Sequence, residues 1–310
     1  NAGGQYVLFE AYVPITPPLV VDALLGTGLR RSVDGAYAQA VDCINRMDAV
    51  KVAVDLPSGL NADTGCAMGC AVKADLTVSF IGMKQGLVTA DAQEYTGTVH
   101  CSNLDVPDWV FDRVKPQTQL IEGRRWGKRS RTAHKGHFGH VLVVGGDLGY
   151  SGAPRMAGEA ALRTGAGLVT VATRQEHAAL LNAGRPELMV RGISTAAQLA
   201  ELFASASVVV LGPGLGQSAW SHWVFDLAVE VSKPMVVDAD GLNCLSERAR
   251  QKGDWVLTPH PGEASRLLAI PTQVVQADRF AAVRDIQTKY GGVAVLKGAG
   301  TLVCSGDGIA

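Results

Sequence analysis

HVLVVGGDLGYSGAPRMAGEAALRTGAGLVTVAT, residues 140–173, holds a complete strand, turn, helix and strand. The apolar run HVLVV leads into GGDLGYSGAP, a helical stretch covers about Gly152 to Thr164, and LVTVA follows as a second apolar run. Apolar strands without polar alternation are buried on both faces, so the pattern predicts a parallel sheet sandwiched by helices. Reading outward toward the end of the chain, SVVVLGPG, PMVVDADG, DWVLTPHPGE, VAVLKGAG and TLVCSGDG repeat the alternation, which gives at least six strands in this half. Reading toward the start, PPLVVDALLG, KVAVDLPSG and ADLTVSFIG are strands running into turns, with AYAQAVDCINRM as a helix between the first two.

The pattern lapses between Val106 and Arg131, where proline and clustered basic residues replace the apolar period. A domain boundary is expected there. The chain therefore reads as α/β throughout: a Rossmann-like three-layer sandwich over residues 1–112, then a second α/β domain over residues 113–310. No fixed-period repeat or low-complexity tract interrupts either half.

Composition removes several function classes. With 28 basic and 29 acidic residues the formal charge is -1, so no general attraction to nucleic acid or an anionic membrane follows, and any phosphate affinity must be local. The basic residues Arg124, Arg125, Lys128, Arg129 and Arg131 read as a solvated linker, because only Trp126 is interleaved for stacking. Cys66 and Cys70 are close enough for a pair or half a metal site, but Cys43, Cys101, Cys244 and Cys304 supply no second pair, so a reduced, cytoplasmic chain is expected. The spacing of His134, His137 and His140 is that of strand entry rather than of a metal site. No run is long and apolar enough to span a bilayer, and no basic-then-apolar leader opens the sequence. Asn1 at the start and GDGIA directly after a strand give both ends a cut appearance.

Chemistry is expected beyond the carboxyl ends of the strands, where an open parallel sheet binds its ligands. GGDLGYSGA, GPGLG, DADGLN and LKGAGT all place small residues at such ends. Backbone N–H groups there can face an anion unobstructed. His260 and Glu263 of TPHPGE join that rim, and a neutral His260 can hold a ligand hydroxyl or phosphate through a ring nitrogen. Lys297 ends the apolar strand VAVLK and opens the turn GAGT, putting an ammonium beside successive N–H groups. Asp238 and Asp240 can hold a hard cation that bridges phosphates, and Asp240 can equally cap the following helix. In the first half, Asp22 lies four residues before a GTG turn and Asp55 ends its strand just before Pro57 and Ser58, as cation ligands or as turn caps.

Taken in order and spacing, HKGHFGHVLVVGGDLGYSGAPRMAGEAALRTGAGLVTVAT, GPGLG, VVDADGLN, LTPHPGEASRL and LKGAGTLV closely resemble the ADP- or ATP-dependent NAD(P)HX dehydratase domain. The resemblance covers nearly all of residues 115 to 310 and implies a ribokinase-like fold. It also implies a repair reaction, in which NADH or NADPH hydrated on the nicotinamide ring is restored at the expense of a nucleotide phosphate, with magnesium. By position, Ala153, Gly214 and His260 would contact the hydrated dinucleotide, and Lys297, Gly298, Ala299, Gly300 and Thr301 would cradle the phosphates of ADP or ATP.

VVDALLGTGLRRS and VAVDLPSGLNADTG resemble the second half of the NAD(P)HX epimerase domain, often fused ahead of the dehydratase in bacteria. The match implies potassium ligands at Asp22 and Ser58, a phosphate-binding run Gly26, Thr27, Gly28, Leu29, Arg30, Arg31 and Ser32, and substrate contacts at Tyr37 and Asp55, with Asp55 as general base. The implied partners are NADHX or NADPHX and ADP or ATP, in a homo-oligomer. The family's asparagine- and glycine-rich phosphate loop, its third potassium ligand and its GMGD-type segment with the hydroxyl-activating aspartate are not found within residues 1–310, so dehydration by these residues alone is expected to be impaired. Two rivals are a ribokinase-like small-molecule kinase, which would not account for the HPGE and KGAGT blocks, and a catalytically silent dinucleotide-binding protein.

Overall fold

The computed structural model describes residue 9, residues 17–123 and residues 127–310; Arg124, Arg125 and Trp126 of the basic stretch lie outside the described residues. The chain separates into two units.

The described residues up to Thr118, with Gln276–Arg279 and Gly298–Thr301, make the first. Its elements are β1 (Leu19–Asp22), α1 (Gly35–Arg46), β2 (Val50–Val54), β3 (Leu76–Phe80), β4 (Thr98–Ser102) and α2 (Asp108–Arg113). The four strands are parallel and lie in the order β1-β2-β3-β4. Helix α1 starts after Asp34, turns Ala40 and Val41 inward, and ends with Arg46, a cation placed where the helix carbonyls need one. TVHCS, which becomes β4, is too short and polar to read as a strand by itself and is ordered by its register with β3, Leu76 opposite Thr98 through Phe80 opposite Ser102. Leu56, Leu60, Leu87 and Ala92 form a small core under these strands.

The second unit takes most of the rest. It runs β5 (His140–Val144), α3 (Gly152–Thr164), β6 (Leu168–Thr173), β7 (Met189–Gly192), α4 (Ala196–Ser205), β8 (Val208–Leu211), α5 (Ala219–Val229) and β9 (Met235–Val237). Then come α6 (Asp240–Glu247), β10 (Trp255–Leu257), α7 (Pro261–Leu268), α8 (Thr272–Ala277), α9 (Arg279–Tyr290), β11 (Val293–Leu296), β12 (Leu302–Ser305) and β13 (Gly308–Ile309). One nine-stranded sheet results, in the order β13-β12-β11-β10-β9-β8-β5-β6-β7. Strands β5 to β11 are parallel, as the uninterrupted apolar runs require. Leu142, Val143, Val144, Val209 and Leu211 are fully or almost fully buried, and each such side chain contributes about 1.5–3 kcal/mol.

The final two strands run antiparallel, Leu296 facing Leu302 across a hairpin. The Lys297–Thr301 turn is therefore a hairpin tip, whereas the other glycine-rich ends lead into helices.

Candidate active site

The order of the second sheet fixes where a ligand can enter. From β5 the chain moves to β6 and β7 on one side, then crosses to β8 on the other, so the β5–β8 boundary is the topological switch point. Crevices at such points, beyond the strand carboxyl ends, receive ligands. GGDLGYSG and GPGLG emerge there, and they nest backbone against backbone. The amides of Gly146 and Asp147 donate to the Gly214 carbonyl at 2.9 and 2.8 Å. A Cβ on Gly145 would stand 2.1 Å from the Pro213 carbonyl oxygen, and one on Gly212, at φ +120°, 1.9 Å from that of Asp238. Only glycine permits these approaches. Ala153 and Gly214 are brought together: a Cβ on Gly214 would lie 3.3 Å from that of Ala153 and 2.5 Å from the Tyr150 carbonyl oxygen.

Asp147, 7% exposed, lies beneath this nest. Its Oδ1 accepts from Arg174 Nε at 2.7 Å and the Leu148 amide at 2.8 Å, and its Oδ2 accepts from Ser221 Oγ at 3.3 Å. Burial pushes the carboxyl up, but hydrogen bonds from Ser218, Arg174 and Leu148 outweigh it and hold Asp147 below the ordinary carboxylate value.

Further along the same strand ends, polar groups gather around Lys297. Its Nζ donates to Asp238 Oδ1 at 2.7 Å and lies 3.8 Å from Glu263 Oε2, while Thr258 Oγ1 donates to the same Asp238 oxygen at 2.9 Å. Glu263, 5% exposed, also accepts the His260 amide at 2.8 Å, completing a capping box at the start of α7. His260 Nδ1 accepts the Gly262 amide at 2.9 Å. A neutral ring that accepts at Nδ1 carries its proton on Nε2, which lies 3.5 Å from Glu263 Oε1. Asp240 does not cap α6, whose N-cap is Ala239; its carboxylate accepts the Gly216 amide at 2.8 Å and an Asn243 amide hydrogen at 3.1 Å. Gly298, Ala299, Gly300 and Thr301 group with the first unit, where the Thr89 hydroxyl donates to the Ala299 and Gly300 carbonyls at 3.2 and 3.0 Å.

In the first unit two carboxylates are anchored differently. Asp22, 1% exposed, accepts from Ser58 Oγ at 2.6 Å and the Ser58 amide at 2.8 Å, while Ser58 Oγ accepts the Leu25 amide at 2.8 Å and lies 3.3 Å from the Leu25 carbonyl oxygen. Carboxylate, hydroxyl and carbonyl oxygens thus collect at one buried point, a donor set that suits a hard cation. Asp55, on a left-handed backbone at φ +72°, pairs with Lys84 and accepts from the Phe80 amide at 3.1 Å and Ser79 Oγ at 3.3 Å, all on Oδ1. Lys84 Nζ also donates to the Phe80 carbonyl at 2.8 Å. Gly26, Thr27, Gly28, Arg30, Arg31 and Ser32 are exposed and Leu29 partly so; a Cβ on Gly26 or Gly28 would meet nothing within 4 Å. Tyr37 is 51% exposed at the start of α1.

Asp147, Arg174 and Lys84 were not legible as site residues. A buried acid directly after a double glycine was the available signal for the first, and a lysine two residues before a glycine, near a strand end, is too common to mark the last. Among the described residues, no group of three or more His, Cys, Asp or Glu is placed to hold a metal ion, and no helix is long and apolar enough to cross a membrane.

Residues 141–309 match the family model described as NAD(P)H-hydrate dehydratase, and residues 5–86 match that of the YjeF-related protein N-terminus. The chain is 50% identical over 289 residues to the bifunctional NAD(P)H-hydrate repair enzyme of Coxiella burnetii, covering 92% of this chain and 59% of that protein. It is 45% identical over 308 residues to the enzyme of the same name from Escherichia coli, covering 98% of this chain and 60% of that one. The chain thus spans about 60% of the length of these relatives. A ribokinase-like superfamily protein of Enterococcus faecalis superposes with a TM-score of 0.55 at 29% identity, covering 59% of this chain and 65% of that one. With a nine-stranded sheet of ribokinase-like form and a matching model over more than half its length, the chain belongs to the NAD(P)H-hydrate dehydratase family, preceded here by a YjeF-related N-terminal region.

Proposed function

We propose that the chain belongs to a nicotinamide nucleotide repair enzyme that interconverts the epimers of hydrated NADH and NADPH and dehydrates the S epimer with a nucleotide phosphate, giving AMP and phosphate from ADP. Residues 1–112 are the epimerase part and residues 113–310 the dehydratase part. The observation that carries this reading is the convergence, at the carboxyl ends of one parallel sheet, of the Ala153–Gly214 nest at the switch point and the Asp238–Lys297–Glu263–His260 group.

In dehydration the ring hydroxyl gives up its proton to a general base of the whole enzyme and attacks the terminal phosphate of ADP, forming an O–P bond as the bond to AMP breaks. The ring nitrogen's lone pair then expels phosphate, and loss of a proton from the neighbouring carbon restores the double bond. Ala153, Gly214 and His260 hold the dinucleotide, His260 through its Nε2 proton. Lys297 and the turn Gly298, Ala299, Gly300 and Thr301 hold the nucleotide phosphates. The Ala299 and Gly300 carbonyls accept from Thr89, so the next amides, on Gly300 and Thr301, point away from Thr89 across their trans peptides, which supports this reading. Catalysis is then mainly alignment and charge neutralisation. Magnesium accompanies the nucleotide.

In the epimerase part, Gly26, Thr27, Gly28, Leu29, Arg30, Arg31 and Ser32 bind the dinucleotide phosphates, and Tyr37 and Asp55 bind the ring end. Asp22 and Ser58 would hold potassium, which would supply a fixed positive charge to that site. Asp55 Oδ2, on the side of the carboxylate away from Lys84, accepts the substrate hydroxyl proton as general base. The enzyme is a cytoplasmic homo-oligomer that prefers ADP to ATP.

The test incubates the intact protein, and in parallel residues 1–310 alone, with purified hydrated NADH and ADP or ATP, the outcomes below being those of the intact protein. Recovery of NADH absorbance with stoichiometric AMP and phosphate is expected, faster with ADP. A stable phosphorylated product would establish a kinase instead, and binding without turnover a silent dinucleotide binder.

A further inference from the structure

Asp147 is an unlikely place to keep a charge unless the charge is used. It is 7% exposed and stands directly after Gly145 and Gly146 at the end of β5. Its amide donates to the Gly214 carbonyl at 2.8 Å and its carbonyl accepts the Tyr150 amide at 2.8 Å, so its backbone joins the two glycine-rich loops. Its carboxylate reaches Arg174 beyond β6 at 2.7 Å, and Ser221 in α5 at 3.3 Å. The Arg174 Cζ stands over the Trp220 ring, 4.9 Å from its centroid, and the single Ser221 hydroxyl proton is shared between Asp147 and the Leu215 carbonyl inside the GPGLG loop, at 2.5 Å from the latter. A Cβ on Gly216 would come within 3.0 Å of Asp147 Oδ2, so that glycine keeps the space the carboxylate occupies.

We propose that Asp147, with Arg174 and Ser221, is a positioning residue for dinucleotide binding, clamping the GGDLGYSG and GPGLG loops at the spacing that sets Ala153 against Gly214. The inference rests on the assignment of Ala153 and Gly214 to the dinucleotide. A carboxylate suits the task because the Arg174, Ser218 and Ser221 side chains and the Leu148 amide can all donate to it. In Asp147→Asn one oxygen becomes an amide that turns hydrogens toward such donors, so the clamp loses one side while the fold keeps the residue's volume.

The experiment measures binding of NADPH and, separately, of ADP to the whole chain by titration calorimetry, for wild type, Asp147→Asn and Arg174→Met. The expected result is about tenfold weaker NADPH binding in both variants, as loss of a charge-assisted bond gives, with ADP affinity within about twofold of wild type. Arg174→Met keeps the proposal testable if Asp147→Asn does not fold. Equal NADPH affinity in wild type and either folded variant overturns the clamp. Parallel loss of NADPH and ADP affinity also overturns it, since a brace for the whole unit would weaken both. Wild type that binds ADP but no reduced dinucleotide overturns the Ala153–Gly214 assignment itself, and the clamp with it.

Discussion

The two units hold their candidate sites by opposite means. In the second, strand ends press backbone onto backbone: Gly145 on Pro213, Gly212 on Asp238, Gly214 on Tyr150, with carboxylates beneath them as ties. In the first, Gly26 and Gly28 stand in open space, and shape comes instead from two side-chain anchors, Asp22 on Ser58 and Asp55 on Lys84. Among the described residues the first unit's sheet has four strands, while the central strands of the nine-stranded sheet are buried on both faces. A glycine therefore means different things in the two halves: a packing constraint in one, and an uncrowded loop in the other.

Substitution tests that contrast directly, beginning with the largest effect. Gly212→Ala puts a methyl group against the Asp238 carbonyl on a left-handed backbone and should cost more than about 4 kcal/mol, abolishing cooperative unfolding of the second unit in urea. Gly28→Ala should leave stability within about 0.5 kcal/mol while weakening dinucleotide binding. Wild-type melting of Gly212→Ala would refute the nested reading. Next, Lys84→Met should slow interconversion of the two hydrated epimers about 100-fold, a loss typical of proton-transfer machinery, without slowing dehydration of a pure S epimer; chiral chromatography of the reaction decides, and unchanged epimerisation would remove Lys84 from the site. The smallest effect is a pH dependence. Because Asp147 is held below its ordinary value, its ionised form stabilises the fold above its unfolded value of about 3.9, and that contribution disappears as pH falls through the lower, folded value. The stability gap between wild type and Asp147→Asn, read from urea midpoints, should be full at pH 7 and narrow progressively below about pH 4. A gap independent of pH would mean the charge itself contributes nothing.

Which parts of this could be read from residues alone follows from the same division. HVLVV, LVTVA and SVVVL announce buried parallel strands because nothing but apolar side chains fits between two helical layers. The four glycine-rich ends were legible for the same reason. TVHCS and MVRG, which become β4 and β7, carry polar residues on short strands and take their form from neighbours in the sheet, which a local pattern does not record. The antiparallel return of β12 was hidden too, since a hairpin and a strand-to-helix turn both begin with glycine. Lys84 and Arg174 lie 29 and 27 residues from the carboxylates they hold, so no spacing motif could join them to Asp55 and Asp147. Asp22 and Ser58, 36 residues apart, were paired by resemblance, not by distance along the chain.

The nested glycines also bear on how this scaffold can change over generations. Where main chain rests on main chain, no side chain is available to widen, narrow or recolour the crevice, and most mutations there are lost to misfolding. Side chains that can be exchanged without such a clash are those of the exposed loop, where Leu148 and Tyr150 are 53% and 60% exposed. The floor of the crevice stays fixed by inheritance while its lip remains open to selection.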